Sequence, residues 1–132
     1  MSTRSSIAVE REDGSVIGIY CHFDGYPSHV GAILKKFYCD HDAAMELIEG
    51  GDISSLDDKC GDAMYYALRG NWETDLYGLR IPAKNEPWER VRPQECVNYF
   101  DFKIDNNQEY NYLFKGGSWN VRKGSGSTWT EL

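Results

Sequence analysis

The 132-residue sequence has no long apolar run. No stretch approaches the roughly 20 apolar residues that a membrane-spanning helix needs. The first six residues, Met1 to Ser6, also lack the apolar run of a secretory signal. We therefore expect neither membrane insertion nor export, and a location in the cytoplasm. In that compartment the four cysteines are expected to remain thiols rather than form disulfides.

The sequence also lacks the short motifs that identify common enzyme classes. It contains no glycine-rich phosphate loop, no nucleophile elbow and no zinc-protease helix. The favoured interpretation is therefore a protein that is not an enzyme, and no cofactor is predicted.

Residues that form a hydrophobic core are abundant. Hydrophobic residues make up 41% of the chain and aromatic residues 14%, which is too rich for a disordered protein. The length matches one domain with its own core, so residues 1–132 are predicted to form a single domain. The nine tyrosines and four tryptophans can fill that core or form a binding surface, because each has a large apolar body with one polar tip.

Negative charge is concentrated in one part of the chain. The acidic segment, Asp40–Asp75, contains ten carboxylates and only two basic residues, Lys59 and Arg69. The net charge of the chain is −7, of which this segment carries −8 and the remaining residues +1. Such a surface repels the phosphates of nucleic acids and attracts basic protein surfaces.

The residues before position 24 predict a β-hairpin. Ser6–Glu12 and Ser15–Phe23 are rich in strand-forming residues, and Asp13-Gly14 between them is a turn sequence. Residues 24–27 then break the second strand. We expect Gly25 to adopt a backbone conformation that other residues resist.

Two helices are predicted after this hairpin. The first runs from an N-cap at Ser28 to about Tyr38. Its apolar stripe consists of Val30, Ile33, Leu34 and Phe37. The second begins after Asp40 or His41 and ends at Gly50-Gly51, because glycine tolerates the conformation that ends a helix. The other features predicted in this half are a loop over Asp52–Asp58 and a short third helix over Asp62–Arg69.

The C-terminal half predicts mainly strands. Residues 70–94 hold three of the four prolines, which favours a long loop or short irregular strands. Glu95–Ile104 and Glu109–Phe114 flank the turn residues Asp105 to Asn107 and are predicted to form a second hairpin. Further strands are expected at Ser118–Arg122 and Thr128–Leu132. The predicted fold is α+β, an antiparallel sheet formed by the N-terminal and C-terminal hairpins with two or three helices packed on one face.

Several stretches near the N-terminus match a known pattern. They are Met1-Ser-Thr-Arg-Ser-Ser-Ile7, Asp13-Gly14, Ile19-Tyr-Cys-His-Phe-Asp-Gly-Tyr-Pro27, Val30-Gly31 and Gly51-Asp-Ile-Ser-Ser-Leu56. In these stretches the chain resembles a widespread family of small bacteriophage and prophage accessory proteins, whose members usually have Trp at the position of Phe23. The resemblance covers somewhat under half of the chain. It implies a phage or prophage accessory gene expressed in a bacterial cytoplasm, and it implies no activity.

Three residues at the end of the predicted hairpin have two interpretations. His22, Asp24 and Tyr26 are spaced i, i+2, i+4, so on a strand they would share one face. A histidine beside a carboxylate and a phenol can perform general acid–base chemistry, which makes them candidates for a ligand site or a small active site. The alternative is a turn that His22 and Asp24 brace before the first helix.

Four residues of zinc-binding type, by contrast, are poorly spaced for a zinc site. Cys21 and His22 are adjacent on a strand and point to opposite faces, so they do not easily bind the same ion. Cys39 and His41 are compatible with each other but make only a pair. No metal site is predicted.

The acidic segment is the strongest candidate for a functional surface. Asp42, Glu46 and Glu49 stack on one face of the second predicted helix, and aromatic residues nearby can serve as desolvated anchors. The residues predicted to bind a partner are Asp42, Glu46, Glu49, Asp52, Asp57, Asp58, Asp62, Tyr65 and Trp72. The alternative is a solvated face that only keeps the protein soluble.

The leading hypothesis is an accessory protein that binds and inhibits or modulates a bacterial macromolecule. The predicted partner is a host protein or an antiviral defence complex with a basic surface, and direct binding of nucleic acid is not expected. The defence context follows only from the resemblance. A second hypothesis is a binding protein for a nucleotide signal, in which tryptophan stacks a base and arginine holds a phosphate. Its candidate residues are Trp72, Trp88, Trp119, Trp129, Arg80, Arg90 and Arg92. The third hypothesis is a small enzyme that uses His22, Asp24 and Tyr26.

Overall fold

A computed structural model describes residues 3–57, 61–66, 72–74, 80–82, 88–97, 108–124 and 128–132. The strands are β1 Ser5–Glu10, β2 Val16–Cys21, β3 Ile53–Leu56, β4 Ala63–Tyr65, β5 Trp72–Thr74, β6 Arg80–Pro82, β7 Gln94–Cys96, β8 Tyr110–Lys115, β9 Ser118–Lys123 and β10 Thr130–Glu131. The helices are α1 Ala32–Phe37, α2 His41–Glu49 and α3 Trp88–Val91, with a π-helical turn at Pro27–Gly31 before α1.

Eight of these strands form one sheet. Its order is β10-β9-β8-β1-β2-β3-β4, and β7 pairs with β2 beside that path. The remaining two, β5 and β6, pair only with each other within the described ranges. The first predicted hairpin is confirmed, because β1 and β2 are antiparallel with Ile7 opposite Ile19. The predicted strands near the C-terminus are confirmed as β9 and the shorter β10.

The α+β class is confirmed, but the sheet is mixed rather than purely antiparallel. β1 pairs in parallel with β8, and β2 pairs in parallel with β3. A tight turn forces antiparallel pairing only on strands that follow each other directly. Both parallel pairs join strands that are separated by other elements, so no turn sequence determines their direction.

The predicted second hairpin is wrong where the structure describes it. β8 has β1 on one edge and β9 on the other, which leaves it no edge for the segment that begins at Glu95. That segment instead contributes β7, which pairs with Val16–Gly18 of β2. Most of Glu95–Ile104 and the turn at Asp105 to Asn107 lie outside the described residues.

Two predictions in the acidic segment are also wrong. Residues 53–56 form β3 rather than a loop, since Ile53 and Leu56 are buried in the core. Ala63–Tyr65 form β4 rather than a helix. Residues 67–69 of that predicted helix lie outside the described residues. Ala63 and Tyr65 pack against the core while Met64 is exposed, which is strand alternation. Pairing with β3 has overridden a helix-favouring composition.

The two helices after the first hairpin lie close to their predicted positions. The first helical segment begins at Pro27, so Ser28 is inside it and is not its N-cap. Proline is favoured at a first helical position because its missing N–H has no partner there. α2 has Asp40 as its N-cap, and the Asp40 carboxylate accepts a hydrogen bond from the Ala43 N–H at 2.7 Å.

The main core lies on one face of the sheet, under α1 and α2. Alternate residues of the central strands, such as Ile7 and Tyr112, are fully buried there against Val30, Leu34 and Leu47. A smaller cluster on the opposite face contains Ala8, Val16 and Leu113. Among the described residues, no helix is long and apolar enough to cross a membrane.

Candidate functional site

The exposed face of α2 carries the three acids that the sequence predicted to lie together. Ala44, Leu47 and Ile48 turn to the core, which leaves Asp42, Glu46 and Glu49 in solvent. The helix period therefore produces an apolar face and an acidic face on the same nine residues. No basic residue lies in the last turn, so the Glu49 charge is unfavourable to the helix dipole.

Beside this helix, a cleft opens between the end of α1, α2 and β4. Its volume is about 410 Å³. The lining residues are Phe37, Tyr38, Ala43, Glu46, Leu47, Asp62, Ala63 and Tyr65. Two carboxylates, from Glu46 on α2 and from Asp62 just before β4, thus share a cleft with three aromatic rings. We call this the acidic–aromatic cleft.

Tyr65 is held rigidly in this cleft. Its hydroxyl donates a hydrogen bond to the Leu47 carbonyl at 2.8 Å. Its ring lies against Gly50, where a Cβ would overlap the ring atoms. Burial, together with the nearby Tyr38, Glu46 and Glu49, raises the pKa of Tyr65 to about 12. The phenol therefore stays neutral, and the carboxylates of α2 act on it electrostatically.

Tyr38 is fixed from two sides. Its hydroxyl donates to the Gly61 carbonyl at 2.5 Å, and its own carbonyl accepts from the Trp119 Nε1 at 2.6 Å. Gly61 has a φ of 76°, and a Cβ there would be 2.6 Å from the Phe37 ring. Both the conformation and the space at this position therefore require glycine. Tyr38 and Tyr65 are therefore held in the acidic–aromatic cleft by hydrogen bonds and packing within the protein.

The structure brings only part of the predicted partner-binding set together. Glu46, Asp62 and Tyr65 line the acidic–aromatic cleft, and Asp42 and Glu49 lie on the exposed face of α2. Asp57 is exposed at the end of β3, and its N–H donates to the Asp62 carbonyl at 2.9 Å. Asp58 and the side chain of Trp72 lie outside the described residues.

Asp52 is placed differently from the other acids. It is partly buried, and its Oδ1 accepts a hydrogen bond from the Tyr20 N–H at 2.9 Å. Burial raises the pKa of Asp52 to about 6, and the bond from Tyr20 opposes that rise. This carboxylate therefore has a partner within the sheet, whereas the carboxylates of α2 face solvent.

Sequence reasoning missed two residues of the cleft, Phe37 and Tyr38. Phe37 was placed in the apolar stripe of the first helix, and it does pack against the core while also lining the cleft. Phe37 and Tyr38 are both partly buried against the main core, and both also line the cleft. Their position just before Asp40 is the signal that could have linked them to the acidic segment.

The residues of the first motif have separate neighbours. Tyr20 Oη and His22 Nδ1 share a hydrogen bond of 2.6 Å, and the His22 ring meets Phe23 edge-on with centroids 4.5 Å apart. Tyr26 instead contacts the ring of His29, with centroids 6.1 Å apart. β2 ends at Cys21, and Asp24 has a φ of 55°, so the strand alternation that would align the three side chains does not continue past Cys21.

The cysteine and histidine residues are also spread apart. Cys21 is fully buried, and burial raises the pKa of its thiol to about 12. Cys39 and His41 are exposed at a different cleft, of about 530 Å³, beside Arg11 and Phe114. In the part of the chain that the structure describes, no three residues of ligand type are grouped to hold a metal ion.

The residues of the nucleotide-binding hypothesis are only partly brought together. Arg90 and Arg92 line one cleft of about 610 Å³, together with Glu89 and Glu95. Trp119 is buried in the main core. The Trp129 ring lies 4.9 Å from the Arg122 guanidinium. The side chains of Trp72, Trp88 and Arg80 are outside the described residues.

Comparison of the chain with protein-family models, with curated proteins and with solved structures finds no match. The fold is therefore assigned from its own topology as a mixed-sheet α+β domain.

Proposed function

We propose that this chain is a phage or prophage accessory protein that binds a bacterial macromolecule with a basic surface, such as a component of an antiviral defence system. One observation carries the binding proposal, which is that Glu46 and Asp62 share an open cleft with Phe37, Tyr38 and Tyr65. The phage context rests on the resemblance of the N-terminal stretches.

The acidic–aromatic cleft supplies what a purely solubilising surface lacks. Exposed carboxylates attract a basic partner over long range, but single pairs at a surface add little affinity. Strong contacts in interfaces come from aromatic side chains in desolvated pockets, surrounded by a polar rim. The exposed face of α2 and the neighbouring cleft combine the two features, so attraction and anchoring occur at one place.

The test is reversal of Asp42, Glu46 and Glu49 to Lys in one variant. This change takes the acidic segment from −8 to −2 and the chain from −7 to −1. Partners are captured from bacterial lysate on the wild-type protein, purified, and measured against both proteins at low and high salt. We expect association with the variant to be slower by about tenfold or more at low salt, because charge mainly raises the on-rate. We also expect its salt dependence to be smaller, because less charge is left to screen.

A matched control separates this surface from net charge. Glu12, Glu109 and Glu131 are exposed acids outside the acidic segment, and their reversal to Lys also brings the chain to −1. We expect the control variant to bind the partner nearly as fast as wild type. Equal on-rates and equal salt slopes for all three proteins would contradict the proposal and leave the acidic face a solubilising role only.

A second candidate function is supported by the pair of arginines. Arg90 and Arg92 line the same cleft, and guanidinium groups hold phosphates well. Glu89 and Glu95 in that cleft oppose an anion, which makes this the weaker candidate. A nucleotide that raised the melting temperature of the wild type but not of Arg92→Ala would favour it.

A further inference from the structure

The polar groups of the acidic–aromatic cleft can mainly accept hydrogen bonds. The Tyr65 hydroxyl already donates to Leu47, and the Tyr38 hydroxyl already donates to Gly61. The other ionisable groups in the lining are the exposed carboxylates of Glu46 and Asp62. An ionised carboxylate accepts hydrogen bonds and donates none. A ligand for this cleft must therefore supply hydrogen-bond donors and positive charge.

The rest of the lining is aromatic and aliphatic. Rings of Phe37, Tyr38 and Tyr65 stand beside Ala43 and Leu47. The Phe37 ring already attracts a cation, since the Lys36 Nζ lies 5.1 Å from its centroid. An ammonium ion keeps its water tightly, whereas a guanidinium is weakly hydrated, stacks flat on aromatic rings and forms paired hydrogen bonds with carboxylates. The guanidinium of arginine therefore suits this lining better than the ammonium of lysine does.

We propose that the acidic–aromatic cleft binds an arginine side chain that the protein partner presents. This inference rests on the proposed function and adds the chemistry of the anchor. The guanidinium plane lies against the aromatic lining, and its N–H groups donate to Glu46 and Asp62. The partner's basic surface then steers the encounter, and the single arginine sets the docking position.

The experiment uses the full chain and three small probes. They are the N-acetyl methylamides of arginine, of lysine and of citrulline, the neutral isostere of arginine. Backbone amide resonances are followed by NMR during each titration. We expect arginine to shift the resonances of Phe37, Tyr38, Asp62 and Tyr65 in a saturable way, lysine to bind at least about threefold more weakly, and citrulline to cause no shift.

Matched variants locate the site. Glu46→Gln and Asp62→Asn each remove one charge from the cleft, and each is expected to weaken arginine binding at least about threefold. Glu109→Gln removes the same charge at an exposed position outside the acidic segment, and is expected to leave the Kd within about twofold. Unchanged amide spectra away from the cleft verify that each variant is folded.

Three results would overturn the inference. Equal shifts with citrulline would show that charge plays no part, and equal binding of lysine would show that the guanidinium plane is not recognised. An equal loss in Glu109→Gln would show that the charge acts only as a diffuse field. Failure of the two proposals can also be told apart. If the triple reversal weakens partner binding while Asp62→Asn does not, the proposed function stands and the arginine anchor is wrong. If arginine binds the cleft but the triple reversal leaves every partner unaffected, the proposed function is wrong.

Discussion

Asp24 and Gly25 end the first hairpin by two different physical means. Asp24, not the glycine, has the left-handed backbone, with a φ of 55°. Aspartate tolerates that region better than most residues. Gly25 is required for space, because a Cβ there would be 2.7 Å from both the Ser5 side chain and the Thr3 carbonyl oxygen. The expectation that Gly25 needs a special conformation is therefore wrong, although glycine is needed at this position.

Gly25→Ala should destabilise the protein by about 1–3 kcal/mol, because the added methyl group overpacks a tight contact. A shift of the Gly25 backbone should also disturb its two hydrogen bonds. The Gly25 N–H donates to the Thr3 carbonyl at 2.8 Å, and the Gly25 carbonyl accepts from the Tyr112 hydroxyl at 2.6 Å. Urea unfolding of wild type and variant measures the change. The double variant with Ser5→Gly should recover part of the loss, because the Ser5 atoms are one of the two obstacles. An unfolding midpoint that Gly25→Ala leaves unchanged would contradict this packing argument.

At the scale of elements, Asp52 fills a gap between two strands on one edge of β2. β7 pairs with that edge over Val16–Gly18, and β3 begins to pair at Cys21. Between them the Tyr20 N–H donates to the Asp52 carboxylate, where none of the described strands supplies a partner on this edge. The Asp52 N–H donates to the Val91 carbonyl at 2.7 Å, so this residue also ties α3 to the sheet.

Asp52→Asn should make the folded protein more stable at pH 8. The pKa of Asp52 is raised to about 6 in the folded state, above its ordinary value of 3.8. Well below pH 3.8 the carboxyl is protonated in both states and contributes no pH dependence. Between about pH 4 and pH 6 the unfolded chain has released this proton while the folded state still holds it, so the folded state loses stability as the pH rises to about 6. Asparagine keeps an oxygen that can accept from Tyr20 and carries no charge, so the variant's advantage should grow between pH 4 and pH 7.

Urea unfolding of the wild type and of Asp52→Asn from pH 4 to pH 8 measures this difference. Asp42→Asn is the control, because Asp42 is an exposed carboxylate on α2. Two results would contradict the claim that the buried Asp52 charge destabilises the folded state. One is a stability difference that does not change with pH, and the other is an asparagine variant that is less stable at pH 8. The second result would mean that the charge on the Asp52 oxygen strengthens the bond from Tyr20 by more than burial costs.

At the scale of the whole molecule, β1 is the centre of the sheet. It pairs with β2 along Ser5–Glu10 and with β8 along Ser5–Val9. Residues from the two ends of the chain thus share one ladder, and the Leu132 N–H donates to Trp119 at 3.0 Å. Contacts between distant parts of a chain cost loop entropy to form, so the sheet is expected to form cooperatively.

Amide hydrogen exchange should follow this layout. The amides of Ile7, Ala8 and Val9 are expected to exchange most slowly, because they are fully buried and their strand is paired on both edges. The exposed residues of β10 pair only with β9 among the described strands and should exchange faster by about two orders of magnitude or more. Exchange resolved by NMR checks this order. Equal protection in β1 and β10, or faster exchange in β1, would contradict the central position of β1.

The sequence by itself determined the features whose causes are local. The turn at Asp13-Gly14 specifies the first hairpin, and the Asp40 cap and the glycines at 50–51 bound α2. The period of α2 likewise places its three acids in solvent. Each of these depends on residues a few positions apart, so the pattern alone was sufficient.

Only the tertiary structure decided the rest. Ala63–Tyr65 forms a strand because it pairs with β3. β8 runs parallel to β1 because it pairs with the edge of β1 that β2 does not occupy. The acidic–aromatic cleft arises in the same way, because Phe37, Glu46 and Asp62 lie on three separate elements. No local sequence pattern predicts that these residues lie close together, because their proximity results from how α1, α2 and β4 pack around the shared core.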